Sequence, residues 1–301
     1  VARTIFDTSV FEFSILRNMN EKNSAAALSV IAAVLLTSMK LVVGILTGSL
    51  GILSEALHSG LDLLSAAMTW FAVRVSDKPA DKEHTFGHGK VENLSAMVES
   101  VLLFATCAWV VYEAVSRLVS GRTDFETSIW AFAVVAVSIA VDYFRARHLK
   151  HVAQKYNSQA LEADALHFST DILSSAVVFV GLIGAAFGYH FADSIAALGV
   201  SAIVAFASGR LLIRAVNALI DAAPAGALDK VDAILSHSDG VEKFHDLRVR
   251  SSGAGYELDV CIHVSAKLTI VQAHEIAESL EGKIRRELGN GIISIHIEPD
   301  N

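Results

Sequence analysis

Residues 25–46 read AAALSVIAAVLLTSMKLVVGIL, an apolar run whose one charged residue is Lys40. A helix needs about 20 mainly apolar residues to cross a bilayer, so this run is long enough to span a membrane. Five more runs of similar length follow, at residues 50–75, 94–118, 128–148, 160–187 and 191–220. Hydrophobic residues make up 53% of the chain and charged residues 19%, and the mean hydropathy is +0.48. The sequence therefore predicts an α-helical membrane domain of six transmembrane helices within the lipid bilayer, and the repeated runs disfavour a soluble protein with a large core.

Lysine and arginine are unevenly distributed among the connections between these runs. They are frequent in the 74–90 loop and after the fourth run, whereas the turns at 47–49 and 188–190 contain none and the 119–127 loop contains Arg122 alone. Because cytoplasmic loops are enriched in these residues, both termini are predicted to be cytoplasmic. The net charge of −8 argues against nucleic acid as a partner, since nucleic acid requires a basic surface.

The boundaries of the predicted domains follow from a change of pattern after Asp221. Residues 1–24 form an N-terminal cytoplasmic segment, residues 25–221 the membrane domain, and residues 222–301 a small globular domain. In that last part the patterns predict a helix at 228–237, strands at 241–250 and 256–264, a helix at 270–288 and a strand at 291–297. The order αββαβ is that of an α+β, ferredoxin-like domain, which we place in the cytoplasm. Thr269 and Gln272 have the spacing of a capping box.

Two of the predicted spans contain a histidine followed four residues later by an aspartate. The second span has His58 and Asp62, and the fifth has His167 and Asp171. Residues four apart share one face of a helix, so two such faces turned toward each other present two imidazoles and two carboxylates around one point. That is a tetrahedral set of ligands which zinc accepts. The alternative for a lone histidine, a hydrogen bond to a neighbouring helix, is disfavoured by the repetition of the motif.

The cost of charge inside a membrane supports a functional interpretation. An ionised aspartate at mid-bilayer costs about 3 kcal/mol on insertion scales, so Asp62 and Asp171 mark function. A divalent cation neutralises their combined charge, and protons can replace it, which couples metal release to proton binding. Other charged residues in the spans are less decisive, because acids can also lie at helix ends and cations can snorkel or pair. The acids are Glu55, Glu99, Glu113, Asp142 and Asp193, and the cations are Lys40 and Arg214.

Several motifs together resemble the cation diffusion facilitator family over nearly the whole chain. They are the two His-x-x-x-Asp helices, Phe86-Gly87-His88-Gly89-Lys90, His245-Asp246-Leu247-Arg248 and Ile295-His296-Ile297-Glu298-Pro299. The resemblance implies that His58, Asp62, His167 and Asp171 form the transport site. Histidine at position 58 resembles the zinc-preferring members, whereas other members have an aspartate there. Imidazole also suits Fe2+, Co2+ and Ni2+, so these metals stay open as substrates.

The resemblance also implies two further metal sites and one salt bridge. The loop between the second and third spans carries Asp81, His84 and His88, which would otherwise be read as solvated residues. Lys90 and Asp221 match a salt bridge that holds the third and sixth spans together at the cytoplasmic edge of a homodimer. The cytoplasmic domain would carry a binuclear site in place of plain surface histidines. Its matching residues are His245, His263, His274, His296 and Glu298.

Strand alternation supports the cytoplasmic site independently of the family. Successive side chains of a strand point to opposite faces. In strand 291–297 the isoleucines at 293, 295 and 297 share one face, which leaves His296 and then Glu298 on the other. Strand 256–264 likewise places Cys261 and His263 opposite its valines and isoleucine. The histidines therefore stay off the apolar face. Glu298 occupies a position at which some family members have an aspartate. Because its side chain is longer, whether Glu298 coordinates the metal stays open.

These features and the family resemblance together predict a homodimeric antiporter of the bacterial inner membrane that exports a divalent transition metal. The resemblance implies Zn2+ as substrate and as regulatory ligand. Rocking of the helices and metal-dependent tightening of the dimer are implied by the family. An intramembrane metalloenzyme is the alternative from another class. Catalytic zinc keeps one position open for water, whereas four protein ligands close this site and no HExxH motif occurs, so we predict no enzyme. A metal sensor with a membrane anchor would need no intramembrane ligands, and uptake in place of export stays open.

Overall fold

The computed structural model describes residues 8–48, 50–120, 129–186, 192–289 and 291–300. The predicted turn at 188–190 and Arg122 in the 119–127 loop lie outside these ranges. The chain divides into two compact units, Val1–Ile213 and Arg214–Asn301. The first is helical and the second carries the three-stranded sheet, and each is described by itself below.

Six long helices occupy the first two-thirds of the chain, one for each predicted span. They are α1 Thr8–Thr47, α2 Leu50–Ser76, α3 Lys90–Ser120, α4 Ile129–Tyr156, α5 Gln159–Ala186 and α6 Ala192–Leu219. The largest difference from the prediction is at the start, where α1 begins at Thr8 and not near residue 25. The polar residues before the apolar run contain no glycine or proline, so nothing in the sequence ends the helix there. α4 likewise continues to Tyr156, past its predicted end at residue 148, because residues 149–156 contain no glycine or proline.

Three stretches of these helices are long and apolar enough to cross a membrane, as judged from the described residues. They are Glu21–Thr47, Lys90–Ser116 and Ser194–Leu219. Large apolar side chains on them are exposed in the chain, among them Leu35, Trp109 and Phe206. Exposed apolar side chains along a long apolar helix are what contact with lipid or with another protein would cover.

Small residues allow the helices of the first unit to approach one another closely. α1 packs against α2 and α4, α5 packs against α4, and α3 packs against α2 and α5. Ala26, Ala66 and Ala160 are fully buried in the core between them. Small side chains at such contacts are characteristic of helix packing in membranes. The arrangement also brings α2 into contact with α5, and these are the two helices that carry the His-x-x-x-Asp motifs.

One buried ionic cluster connects four helices. The Lys22 ammonium on α1 lies 2.9 Å from Glu92 Oε1 on α3 and 2.5 Å from Asp77 Oδ1, directly after α2. Ser76 Oγ donates a hydrogen bond to Glu92 Oε1 at 3.0 Å. Ser158, which precedes α5, donates to Glu92 Oε2. The Glu92 carboxylate therefore connects α1, α2, α3 and α5 next to the 77–89 loop.

The second unit has the predicted αββαβ order. Its elements are α7 Ala227–Ser236, β1 Lys243–Ser252, β2 Gly255–Ser265, α8 Ile270–Leu288 and β3 Gly291–Asp300. The sheet order is β1-β2-β3, with β1 antiparallel and β3 parallel to β2. α8 connects the two parallel strands, as a crossover requires.

The core of this unit explains where its histidines lie. Leu258 and Ile262 of β2 pack with Leu280 and Ile284 of α8 in one hydrophobic cluster. Because strand side chains alternate, residues 261 and 263 point away from that cluster. At the start of α8 the Gln272 N–H donates to Thr269 Oγ1 and the Thr269 N–H donates to Gln272 Oε1, which confirms the predicted capping box.

Candidate metal centres

Asp62 on α2 and His167 and Asp171 on α5 meet inside the helical unit. One ligand atom from each lies within 4.8 Å of the others. His167 Nε2 is 3.1 Å from Asp62 Oδ1 and 3.6 Å from Asp171 Oδ2. A single imidazole nitrogen therefore faces one carboxylate from each helix. A cation placed among these atoms would contact a nitrogen and two anionic oxygens, which is a suitable set of ligands for a divalent transition metal.

His58, the fourth predicted ligand, lies at the edge of this cluster. Its Nε2 is 3.9 Å from Asp62 Oδ1, and it does not belong to the group of three. Its side chain is 48% exposed, whereas that of His167 is 14% exposed. The structure therefore brings three of the four predicted ligands together, and the fourth, His58, lies next to one of them, Asp62.

Lys40 places a buried positive charge beside this site. Its ammonium donates to Glu55 Oε2 at 3.1 Å and to Ser59 Oγ at 2.8 Å, and the residue is 5% exposed. Thr37 Oγ1 donates to the Ser59 carbonyl oxygen at 2.9 Å, which fixes the same turn of α2. The sequence analysis expected Lys40 to snorkel or to pair, and the structure shows it paired. Glu55 is its partner.

A second polar network lies beside Phe168, the residue that follows His167 on α5. Arg145 Nη2 donates to Ser29 Oγ at 2.9 Å, and Ser29 Oγ donates to Asp164 Oδ2 at 2.9 Å. The guanidinium also pairs with Asp142 at 3.4 Å and lies 3.5 Å from the centre of the Phe168 ring. Sequence reasoning missed Ser29 and Asp164. The available signal was that Asp164 precedes His167 by three residues and so lies near the same helix face.

The predicted loop residues Asp81, His84 and His88 form a second cluster between α2 and α3. Asp81 Oδ1 accepts hydrogen bonds from the N–H groups of Glu83 and His84, which lower the pKa of Asp81. Asp81 Oδ2 lies 3.5 Å from His88 Nε2, and the two imidazole rings are 4.4 Å apart. Gly87 adopts a φ of +81°, and its N–H donates to the His84 carbonyl oxygen. That turn brings His88 back toward Asp81.

A third cluster lies on the sheet of the second unit and consists of His245, Cys261, His263 and Glu298. Strand register produces it, because His245 is opposite Cys261 and His263 is opposite Glu298. Glu298 Oε2 is 3.5 Å from His263 Nε2 and 3.8 Å from His245 Nε2. The longer carboxylate of Glu298 therefore reaches both imidazoles.

Cys261 was not among the predicted site residues. It alternates with His263 along β2 on the face away from the core, and this spacing was visible in the sequence. Burial and the nearby Glu298 raise the pKa of the Cys261 thiol, so a metal must displace its proton.

Two of the predicted site residues, His274 and His296, lie outside the cluster of His245, Cys261, His263 and Glu298. His296 is 3.6 Å from Glu298 Oε1, and His274 pairs with Glu278 on α8.

The predicted Lys90–Asp221 salt bridge stays a prediction. Lys90 begins α3, and Asp221 follows the end of α6. Asp221 Oδ2 accepts a hydrogen bond from Arg250 Nη1 at 3.3 Å, and Arg250 also pairs with Glu257.

Both parts of the chain match sequence models of one family. Residues 26–220 match the cation efflux transmembrane domain, and residues 223–300 match the cytoplasmic domain of cation efflux proteins. The chain belongs to the cation diffusion facilitator family. Its members are cation-efflux transporters, so this chain is an integral membrane transporter of divalent metal cations with a cytoplasmic C-terminal domain. It is not an enzyme, as the sequence predicted.

Full-length relatives in the cation diffusion facilitator family agree with this assignment. The chain is 33% identical over 263 residues to magnetosome protein MamB of Magnetospira sp. (strain QH-2), covering 87% of this chain and 89% of that protein. It is 32% identical over 284 residues to the cation-efflux pump FieF of Yersinia enterocolitica, covering 91% and 92%. It also matches the metal-bound C-terminal domain of the CzcD transporter from Thermotoga maritima with 26% identity and a TM-score of 0.24, covering 24% of this chain and 86% of that domain.

Proposed function

We propose that this cation diffusion facilitator exports Zn2+ from the bacterial cytoplasm in exchange for protons, as a homodimer in the inner membrane. The helices α1–α6 are its six membrane spans, and both termini are cytoplasmic. The observation that carries the proposal is the group formed by Asp62, His167 and Asp171, in which ligand atoms from two helices lie within 4.8 Å of one another.

The ligand chemistry supports zinc as the substrate. Two carboxylates supply a charge of −2, which a divalent cation neutralises in an environment where uncompensated charge is costly. His167 adds an imidazole nitrogen, and His58 is near enough to add a second after a small movement of its side chain. Two nitrogens and two oxygens in a tetrahedron suit zinc. Fe2+, Co2+ and Ni2+ are the alternative substrates, because imidazole also suits them.

The same atoms account for proton coupling. His167 Nε2 and Asp62 Oδ1 are 3.1 Å apart, the distance of a hydrogen bond. One proton shared between them occupies the lone pairs that a metal would need. Metal and proton therefore exclude each other at His167, and exchange of one for the other is the elementary step of antiport.

The two cytoplasmic clusters are proposed as further metal sites. Asp81 Oδ2 faces His88, and His84 lies against it, so the loop offers a small site at the edge of the membrane domain. The sheet offers His245, Cys261, His263 and Glu298 as a site that responds to the cytoplasmic metal level. The Lys90–Asp221 bridge is retained as a proposed contact in the homodimer.

Transport in proteoliposomes tests the proposed function. A Zn2+ gradient across vesicles that contain the wild-type chain should drive an opposite proton flux, recorded with an internal pH dye. Asp62→Ala and Asp171→Ala should abolish both fluxes, whereas Asp232→Ala, an exposed acid on α7, should leave them unchanged. Normal fluxes in the first two variants would overturn the proposal. The extent to which Fe2+, Co2+ and Ni2+ each reduce the Zn2+ flux in the same vesicles ranks these metals as competing substrates.

A further inference from the structure

A groove between α1 and α4 opens on the surface of the helical unit. Its volume is about 340 Å3, and pockets for small molecules typically have about 300–1,000 Å3. Ala25, Ser29 and Ala32 line it on α1, and their small side chains leave the space open. Leu28 of α1 and Phe144 of α4 form its exposed walls, with 55% and 70% of their surface accessible. The groove is therefore an apolar surface that the chain itself does not cover.

The proposed membrane spans place this groove at the cytoplasmic surface of the bilayer. The apolar runs put residue 25 at the cytoplasmic start of the first span and residue 148 at the cytoplasmic end of the fourth. Along α4 the lining extends from Val141 to Leu149, which is about 12 Å at 1.5 Å per residue. One end of the groove is thus level with the lipid headgroups and the other with the acyl chains. This step rests on the proposed function, of which it uses only the spans and their orientation.

Two exposed cations of α4, Arg147 and Lys150, lie beside the headgroup end of the groove. Arg147 follows Phe144 by three residues and Lys150 follows Arg147 by three, so the three side chains are neighbours along the helix surface. Arg147 Nη1 donates a hydrogen bond to the Tyr143 hydroxyl at 3.2 Å. Among the described residues, no aspartate or glutamate oxygen lies within ion-pairing distance of either cation.

The neighbouring cations of α4 do have acidic partners. Lys155 pairs with Glu21 at 2.6 Å, and Arg145, which lines the groove, pairs with Asp142 at 3.4 Å. The two cations at the headgroup end are therefore the ones whose charge is not compensated within the described part of the chain. Anionic lipids attract lysine and arginine next to a membrane span. An apolar groove that ends at two such cations is complementary to a lipid with a negative phosphate and apolar chains.

We propose that the groove between α1 and α4 binds one anionic phospholipid of the cytoplasmic leaflet. Arg147 and Lys150 hold its phosphate, and one acyl chain lies between Leu28 and Phe144. The bound lipid covers the apolar walls and neutralises the two cations. Because it contacts both helices, it also contributes to the packing of α1 against α4.

Native mass spectrometry of the full chain in detergent tests the headgroup contacts. Bound lipids are counted during titration with phosphatidylglycerol, which is anionic, and with phosphatidylcholine, which has no net charge. The wild type should bind one phosphatidylglycerol per chain more tightly than phosphatidylcholine. Arg147→Gln/Lys150→Gln should weaken phosphatidylglycerol binding about 10–30-fold and leave phosphatidylcholine binding unchanged. Lys78→Gln/Lys82→Gln removes two exposed lysines of the 77–89 loop, the same change of charge, and should match the wild type.

A second pair of variants tests the acyl-chain contact. Phe144→Ala removes one wall of the groove and should weaken the binding of both lipids. Phe71→Ala is the matched control, because Phe71 is an exposed phenylalanine near the cytoplasmic end of α2, with 63% of its surface accessible. It should weaken the binding of neither lipid. Both side chains are exposed, so neither substitution should unfold the chain.

The outcomes separate this inference from the proposed function. Equal affinity of the wild type for the two lipids overturns the lipid site, and so does an equal loss of phosphatidylglycerol binding in the two double variants. Equal effects of the two phenylalanine substitutions overturn it as well. Displacement of phosphatidylglycerol by soluble glycerol phosphate would identify a site for a free anion and would overturn the role of the groove. The titrations contain no metal, so absence of metal-driven proton flux in vesicles overturns the proposed export and leaves the lipid result standing.

Discussion

The Lys40 ammonium lies 2.8 Å from Ser59 Oγ, and Ser59 follows His58 directly in α2. A buried cation is thus held in the turn of helix that contributes to the proposed transport site. Its second partner, Glu55, has a half-exposed side chain, so water can solvate Glu55 on that side. The proposed transport site therefore has a positive charge beside it in addition to the charges of Asp62 and Asp171.

We expect Lys40→Met to bind Zn2+ roughly tenfold more tightly than the wild type, because it removes a charge that repels the ion. Tighter binding should slow release, so the variant should also transport more slowly. Calorimetry and vesicle flux measure the two effects. Lys155→Met removes an exposed lysine that pairs with Glu21 and is the matched control. Unchanged affinity in Lys40→Met would show that Lys40 does not act on the ion.

The two histidines of the motifs should differ in importance. His167 contacts both carboxylates, whereas His58 lies 3.9 Å from Asp62 and is half exposed. His58→Ala is expected to weaken Zn2+ binding by about 10–100-fold, the range for residues that support a metal site from outside it. His167→Ala is expected to weaken it further. Calorimetry measures the Zn2+ affinity of both variants. An equal loss of affinity in the two would mean that His58 becomes a full ligand when the metal binds.

The 81–88 loop should lose order in acid. Two N–H groups lower the pKa of Asp81, so its carboxylate stabilises the folded loop at a pH above the ordinary aspartate pKa. That contribution is lost as the pH falls through the lowered pKa. Hydrogen exchange at the Glu83 and His84 amides should therefore be protected at neutral pH and become unprotected below about pH 4. Asp81→Asn keeps an oxygen acceptor without titrating, so protection that varies with pH in the same way in this variant would contradict the assignment.

Cys261 should contribute to metal binding by the cytoplasmic domain. The thiol pKa is raised, so binding must displace its proton and should weaken as the pH falls. Cys261→Ser is expected to lower Zn2+ affinity at this site and to reduce that pH dependence. His274→Ala, on exposed α8 outside the cluster, should have little effect on either quantity. Titration of the full chain at several pH values measures both, and a larger effect of His274→Ala would place the site elsewhere.

A close contact in the sheet should make Gly291 intolerant of a larger residue. A Cβ atom at position 291 would lie 2.5 Å from the ring of Tyr256, which is opposite it in the register of β2 and β3. Gly291→Ala should therefore destabilise the cytoplasmic domain by about 1–3 kcal/mol, the usual cost of overpacking. Chemical denaturation measures the change. Ser294→Ala, on the exposed face of the same strand, should change the free energy of unfolding little, and equal stability of the two variants would contradict the contact.

Local sequence pattern predicted much of the fold and which of the candidate ligands lie close together. Each of the six hydrophobic runs corresponds to one long helix in the structure. The spacing of Thr269 and Gln272 predicted a capping box, which the structure confirms. The His-x-x-x-Asp motifs predicted that Asp62, His167 and Asp171 lie close together, because helical periodicity determines which residues share a face, and their ligand atoms do lie within 4.8 Å of one another. The hydrogen bonds that Ser65 and Thr69 of α2 donate to Glu99 of α3 were not predictable, because they depend on how α2 packs against α3. Tertiary contacts between distant segments leave no local signal in one sequence.

The ionic cluster around Glu92 has a consequence for how the helices can move. α1, α2, α3 and α5 are attached to one carboxylate at the end of the bundle beside the 77–89 loop. A tilt of a helix about this attachment would displace its far end much more than the end near Glu92. α2 has 27 residues, and at 1.5 Å per residue its other end is about 40 Å away. If the helices rock as the family implies, the attachment at Glu92 would therefore confine most of the movement to the end of the bundle away from the 77–89 loop.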